Sequence, residues 1–370
     1  MYVDLWGWFW EEELRAERDN DLNVKRIVQL ARQGWAYRRN AQSAEMLACF
    51  EEAASIAQKH QNPCWELFCT YWACSTLFYH VDDLHGALDK TVKLASRAHQ
   101  KQFTHCPIRS RIYFLLADIY YEIDVFGYED KIRESLDFLE NNIPMDQDTY
   151  FRVQHRFADL AYLHDDYDGA FERVTRYMAE AQENEFRMRS AHQLLRAIHY
   201  AQGDIVTAYE HSLQAEQYAR NIQSHVDIAV GMLWQATLSK YRGNDALANN
   251  RFLQGNLLFM THNLPHWPDY YNAVCTYLEL SDKSTDAIKQ RERQITEYKE
   301  YGSLFYLGWG YVQFCRLLGR TGQDMSDLLD TAQELSTHML KPQKYLNELR
   351  KIKTGTYYQY DWQRDISVFK

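Results

Sequence analysis

The sequence predicts an all-α fold built from about eight similar helical pairs, and three observations predict it. Small or apolar anchor residues return at a nearly constant interval along the 370 residues. Glycine and proline are rare; six glycines mark the turn ahead of an anchor, and all six prolines fall in the alternate gaps. Between the gaps, apolar residues recur at steps of three and four, the spacing of one helical face. No run alternates with the period of two that a half-buried strand requires, so no sheet is expected.

Residues 1–24 come first. "MYVDLWGWFWEEELRAERD" carries Trp6, Trp8, Phe9 and Trp10 ahead of a charged helical stretch. It lacks the basic start and clean apolar stretch of a signal peptide. It reads as an aromatic capping segment, or as a surface on which a partner or second copy docks, since Trp and Tyr are favoured interface anchors. The anchors follow from residue 25 to 341: Leu47, Ala87, Ile132, Ala170, Ala208, Ala248, Ala287 and Leu328, at steps of 40, 45, 38, 38, 40, 39 and 41. The step of 45 marks the third unit as the least regular.

Glycine stands shortly before six of the eight anchors. Gly86 and Gly169 stand one residue before their anchors, Gly127, Gly203 and Gly243 five before, and Gly322 six before, where each is expected to allow a tight turn between two helices. All six prolines, Pro63, Pro107, Pro144, Pro265, Pro268 and Pro342, fall between units. Inside a helix each would cost about 3 kcal/mol. The unit is therefore helix A, a turn, helix B, and a junction. In helix A of the fifth unit Leu194, Leu195, Ile198 and Ala201 share a face; in helix B of the fourth, Phe171, Val174, Tyr177, Met178 and Ala181 do. Residues 342–370 read as a capping helix, "PQKYLNELRKIKT", with an aromatic tail that includes Tyr357, Tyr358 and Trp362 and offers a second docking surface.

"HDDYDGAFERVTRYMAEA" (164–181) and "YAQGDIVTAYEHSLQA" (200–215) resemble the tetratricopeptide repeat, with small and aromatic residues in helix A and an alanine opening helix B. The resemblance covers about 25–340. It departs from the family in its period, near forty rather than about 34 residues, and in an incomplete aromatic pattern of helix A. It implies a right-handed α-solenoid of stacked pairs with helical caps, in which each pair covers its neighbour's apolar side. It also implies a concave groove lined by A helices.

Composition narrows the function. A net charge of −10 disfavours general nucleic-acid binding, which needs clustered Lys and Arg. No stretch reaches the ~18 apolar residues of a membrane span, and a cytoplasmic protein is expected. Seven cysteines, Cys49, Cys64, Cys69, Cys74, Cys106, Cys275 and Cys315, make an odd set without a compact framework and read as ordinary buried thiols. No phosphate-binding loop, dinucleotide fingerprint, zinc-protease motif or nucleophile elbow occurs. "HVDDLHGA" (80–87) and "LHDDYDG" (163–169) place acidic residues and histidines on turns, without metal spacing. No enzyme activity, cofactor or metal is expected.

One polar pattern stands out. Arg189, His192, Arg196 and His199 step by 3, 4 and 3 along helix A of the fifth unit, and Arg152, His155 and Arg156 lie on that of the fourth. These rows either face water or line the groove, where arginine forks would take a carboxylate, a phosphate or an acidic peptide. The chaperone-type clamp of Lys and Asn is not present. The expected function is a non-enzymatic scaffold, adaptor or regulatory subunit that holds a protein segment in the groove. The alternative is a peptide sensor that changes superhelical shape and acts on a separate effector. With repeats beginning near residue 25, neither a response-regulator phosphatase bundle nor a DNA-binding helix-turn-helix is expected ahead of them.

Overall fold

The computed structural model describes residues 2–39, 42–264 and 268–355. These residues are helical throughout, with turns and two short 3-10 segments between helices and no strand among them. The chain divides into two compact units, Met1–Val153 and Gln154–Lys370. The first holds α1 (Leu5–Arg18), α2 (Leu22–Arg39), α3 (Ser43–Lys59), α4 (Pro63–His80), α5 (Leu84–Ala98), α6 (Arg109–Asp124) and α7 (Glu129–Asn142). α8 (Gln147–Leu163) runs across the division. The second unit continues with α9 (Tyr167–Glu180), α10 (Glu185–Ala201), α11 (Ile205–Asn221), α12 (His225–Tyr241), α13 (Asp245–His262), α14 (Pro268–Leu280), α15 (Ser284–Tyr301), α16 (Leu304–Arg320), α17 (Ser326–Leu335) and α18 (Gln343–Lys353).

Helices pack on their sequence neighbours, as with α2 on α3, α10 on α11 and α12 on α13. Burial alternates between them. Asp227–Ser239 of α12 and Gly308–Leu318 of α16 are buried without a break, and α4 and α6 nearly so. Helices apolar around their whole circumference belong in a core. The intervening α5, α7, α9, α13 and α15 bury one strip each.

The anchor residues hold one structural position. Ala87, Ile132, Ala170, Ala208, Ala248 and Ala287 are each the fourth residue of their helix, and each is wholly buried. At the two ends the register differs by one from the sequence expectation. Met46, not Leu47, is the buried fourth residue of α3, and Leu329, not Leu328, is the fourth residue of α17. Phe171, expected on the buried face of α9, is 42% exposed, whereas Val174, Tyr177 and Ala181 are buried.

The turns refine the expected role of glycine. A left-handed residue closes most A helices before the following B helix: Asp82, Asp165 and Asp282 as well as Gly203, Gly243 and Gly322. This is the usual way for a helix to stop. Gly86 and Gly169 do something else. They are the third residues of α5 and α9, where their N–H groups donate to the capping carboxylates of Asp83 and Asp166 at 2.8 and 3.0 Å. A Cβ there would lie 2.0 and 2.2 Å from those carboxylate oxygens. The acidic "HVDDLHGA" and "LHDDYDG" stretches are thus left-handed residues followed by helix caps. Pro63 and Pro268 begin helices, where a missing N–H is harmless; Pro265 lies outside the described residues.

Polar links join positions one repeat apart. In the first unit Tyr79 Oη donates to Asp118 at 2.7 Å and Lys90 pairs with Glu51 at 2.6 Å, each pair 39 residues apart. In the second unit Tyr200 Oη donates to Tyr241 at 3.1 Å, Thr237 Oγ1 to the Ala273 carbonyl at 2.9 Å, and Arg320 pairs with Glu279 at 2.6 Å, over 41, 36 and 41 residues.

Trp8 stacks against Trp65 and Phe68 at 5.1 and 5.6 Å, and Phe9 is fully buried against Trp35 and Trp65. Trp6 lies 5.5 Å from Trp35 and Trp10 beneath the Arg32 guanidinium at 5.1 Å, yet both rings remain 40 and 49% exposed. At the other end Tyr345 of α18 donates to the Ala332 carbonyl at 2.9 Å. Tyr357, Tyr358 and Trp362 lie outside the described residues.

One cysteine expectation is overturned. Cys64 and Cys106 form a disulfide with Cα atoms 5.1 Å apart, while Cys49, Cys69, Cys74, Cys275 and Cys315 are free and buried. The bond ties α4, through Cys64, to residues 99–108, the long connection between α5 and α6 that holds Cys106 and accounts for the step of 45. Closing a 42-residue loop removes about 4 kcal/mol of entropy from the unfolded chain in the loop-closure picture.

The buried fourth position can be tested with Ala208→Leu. Three added carbons in a filled site are expected to lower the unfolding free energy by about 1–3 kcal/mol. The same change at exposed Ala246 of α13 should stay within about 0.5 kcal/mol. Urea unfolding followed by circular dichroism reads both.

Candidate functional site

The polar row of α10 is positioned by the helix that the apolar residues dictate. Leu194, Leu195, Ile198 and Ala201 turn inward as expected, and the Asn184 side chain caps the first turn by accepting from Arg187 N–H. The arginines do not reach open water. Arg196 is 3% exposed, lies 4.2 Å over the Trp234 ring and pairs with Asp269 at 3.5 Å. Burial pulls its pKa down, against the Asp269 carboxylate, which pushes it up. Arg189 bonds Asp227, whose carboxylate also accepts from Gln193 at 3.1 Å and from the Ser224 hydroxyl. Phe186 covers its guanidinium at 4.6 Å.

The α8 residues are likewise engaged. Arg156 pairs with Asp159 at 3.3 Å, and His155 Nδ1 lies 2.8 Å from Tyr177 Oη of α9. Arg152, in the first unit, pairs with Asp148 at 3.0 Å and lies over the Phe114 ring.

What the structure does gather is a set of imidazoles that the row alone did not reveal. His192 and His199 of α10 meet His211 of α11. His192 Nδ1 and His211 Nδ1 are 2.9 Å apart, so one ring donates and the other accepts. His199 stacks on His211 with centroids at 5.3 Å, and His192 stacks on Tyr218 at 5.6 Å. Burial lowers the pKa of His192 and of His199, the latter opposed by Asp204. His211 is pushed down to about 4 by burial and by its two histidine neighbours, with Asp204 again opposing. At neutral pH the cluster is therefore uncharged. Its signal in the sequence was the helical hairpin itself, which sets His211, 19 residues after His192, facing the α10 row.

A different part of the second unit presents exposed apolar surface. On α13 Leu253, Leu257 and Met260 are 69, 63 and 81% exposed, at steps of four and three along one face. The inward face of the same helix carries Ala248 and Gly255. A Cβ at Gly255 would lie 2.9 Å from the Leu233 side chain and 3.0 Å from the Ala229 carbonyl, so α13 and α12 approach closely there. The other exposed residues between 246 and 261 are Ala246, Asn249, Asn250, Gln254 and Thr261, none of them charged. Apolar periodicity points to the inward face, and α13 carries large apolar side chains on both sides: Phe259 is buried, while Leu253, Leu257 and Met260 are exposed.

Compared with known protein families and with curated proteins, the chain matches none.

The histidine cluster gives the second unit a defined response to acid. Each ring has a folded pKa below the ordinary 6.5. Their contribution to stability is complete above pH 6.5 and is lost as pH falls from there toward about 4. The melting temperature is expected to drop by on the order of 5 °C between pH 7 and pH 5. His211→Asn, which keeps a hydrogen-bonding atom near the Nδ1 position and does not titrate, should flatten that slope. An unchanged slope in thermal unfolding would show that the acid response arises elsewhere.

Proposed function

We propose that this chain is a non-enzymatic interaction protein, a scaffold, adaptor or regulatory subunit built as a tetratricopeptide-like right-handed α-solenoid, that binds a segment of another protein. The observation that carries this reading is the outward row of Leu253, Leu257 and Met260 on an uncharged helix face. Anchors at i, i+4 and i+7 suit the apolar stripe of a partner helix. Clustered exposed apolar side chains mark contact sites on soluble proteins.

The α13 face is better supported as the contact than the arginine rows. An acidic peptide at Arg189 or Arg196 would have to displace Asp227 or Asp269, carboxylates already paired with them. A groove lined by α12 would also have to form against a helix whose residues Asp227–Ser239 are buried without a break. For the compartment we propose the cytoplasm. Five of seven cysteines are free thiols, and no helix among the described residues is long and apolar enough to cross a membrane.

The test is a photo-crosslinking amino acid at position 257 of the full chain, expressed in its native cells, with one at position 214, an exposed site on α11, as control. A discrete adduct to another protein at 257 and none at 214 is expected. Leu253→Glu with Met260→Glu should weaken that adduct at least tenfold and leave the circular dichroism unchanged. No adduct at 257, or equal adducts at both positions, would sink the reading.

A further inference from the structure

The connection between α5 and α6 gathers three metal-binding side chains. Sγ of Cys64, Sγ of Cys106 and a ring nitrogen of His105 all lie within 4.8 Å of one another, with both cysteines buried and the histidine exposed. Two thiolates and one imidazole are a zinc donor set. Around a tetrahedral zinc, with Zn–S near 2.3 Å and Zn–N near 2.0 Å, such donors lie roughly 3.5–3.8 Å apart. The Cα atoms of the two cysteines stand 5.1 Å apart, within reach of that separation once the S–S bond is opened and the side chains rotate.

The backbone on both sides is fixed independently of the sulfur bridge. Cys64 is the second residue of α4, behind Pro63 and the Asn62 cap, whose side chain accepts from Trp65 N–H. Free N–H groups of a first helical turn favour a thiolate there. Cys106 N–H donates to the Phe103 carbonyl at 3.0 Å, and the Cys106 carbonyl accepts from Arg109 N–H at 3.3 Å. The His105 ring makes no hydrogen bond to the described residues and is open to solvent. The other five cysteines are buried, and none lies in a comparable group of ligands among the described residues. Burial pushes the Cys74 and Cys275 thiols up to about 11 and Cys315 up to about 12, so they stay protonated.

We propose that Cys64, Cys106 and His105 form a redox-gated zinc site: a disulfide when oxidised, and a Zn²⁺ ion held by two thiolates and one imidazole when reduced. The reductant is a dithiol. It supplies two electrons and two protons, the S–S bond breaks to two thiols, and the dithiol closes to its own disulfide. Zinc binding then releases the two thiol protons, and a water takes the fourth position. The connection stays fastened in both states, by a covalent bond in one and by a metal in the other. A disulfide among otherwise free thiols suits this use, since isolated pairs in a reducing compartment are typically transient.

The experiment uses the full chain, reduced with dithiothreitol, desalted without oxygen and titrated with Co²⁺ and then Zn²⁺. A single equivalent of Co²⁺ should bind with thiolate-to-cobalt absorption and be displaced by Zn²⁺, and the oxidised chain should bind none. Cys106→Ser should abolish the thiolate band. His105→Ala, at an exposed position, should keep the fold and weaken binding roughly tenfold or more. Absence of the band in the reduced chain would overturn the proposal. So would equal binding by the oxidised chain or by Cys106→Ser, or an unchanged affinity in His105→Ala.

Discussion

The structure depends on one packing constraint, the wholly buried residue at the fourth position of nearly every second helix. In five of the eight pairs it is alanine, in α3 it is Met46 and in α7 Ile132, while Leu329 at the same position of α17 is half-buried. In most pairs the turn before it is short and contains a left-handed residue, so the first turn of the second helix is pressed against the last turn of the first. A methyl group fills that space, and a longer side chain would hold the two axes apart. Once this distance is set, the next first helix has only one apolar strip to cover, and the arrangement repeats. Capping aspartates and asparagines work at the same place: Asp83, Asp166, Asp204 and Asn244 each accept from the N–H of the third helical residue, directly before the buried fourth.

Much of this was legible because its chemistry is local. An alanine at N4, an aspartate at the cap and a proline at the first position leave their mark within a few residues. The ends were misread by one position because Leu47 and Leu328 stand beside Met46 and Leu329, and hydrophobicity alone does not choose between neighbouring apolar residues. What was not legible is chemistry that acts across one repeat. Arg189 meets Asp227, 38 residues on, and Cys64 meets Cys106 at a separation of 42. Both distances are close to the repeat itself. Pairing complementary residues about forty positions apart would have flagged the disulfide and the carboxylate, but the basic row was read along a single helix.

The same physics explains the disposition of the arginines. A guanidinium drawn into the packed side of a first helix must bring its own anion. Asp227 and Asp269 serve Arg189 and Arg196, Asp159 serves Arg156, and Glu348 pairs with Arg316, 2% exposed, at 2.5 Å. Removing one partner from such a pair leaves a buried charge, a far larger penalty than the pair's own net worth. These residues fix which helices neighbour which, and a row that looks like a binding strip along one helix is, in three dimensions, a seam between repeats.

α13 departs from this logic. α15 buries a strip and exposes charge, and α11 exposes charge together with Val206 and Leu213, whereas α13 buries Ala248, Gly255 and Phe259 and exposes Leu253, Leu257 and Met260, the most exposed apolar row of the three. Fully burying a side chain of that size is worth roughly 1.5–3 kcal/mol, so the folded chain leaves a substantial driving force unused on this face. Exchanging the small and large residues would not recover it, because Gly255 faces Leu233 and the Ala229 carbonyl at distances that leave no room for a Cβ. The close approach of α12 and α13 therefore forces a small residue at position 255. It does not force large apolar residues outward, since Asn249, Asn250 and Gln254 occupy the same face without difficulty. Packing within the chain accounts for the glycine and the alanine; it does not account for the leucines and the methionine, and it is on these three residues that the proposed contact rests.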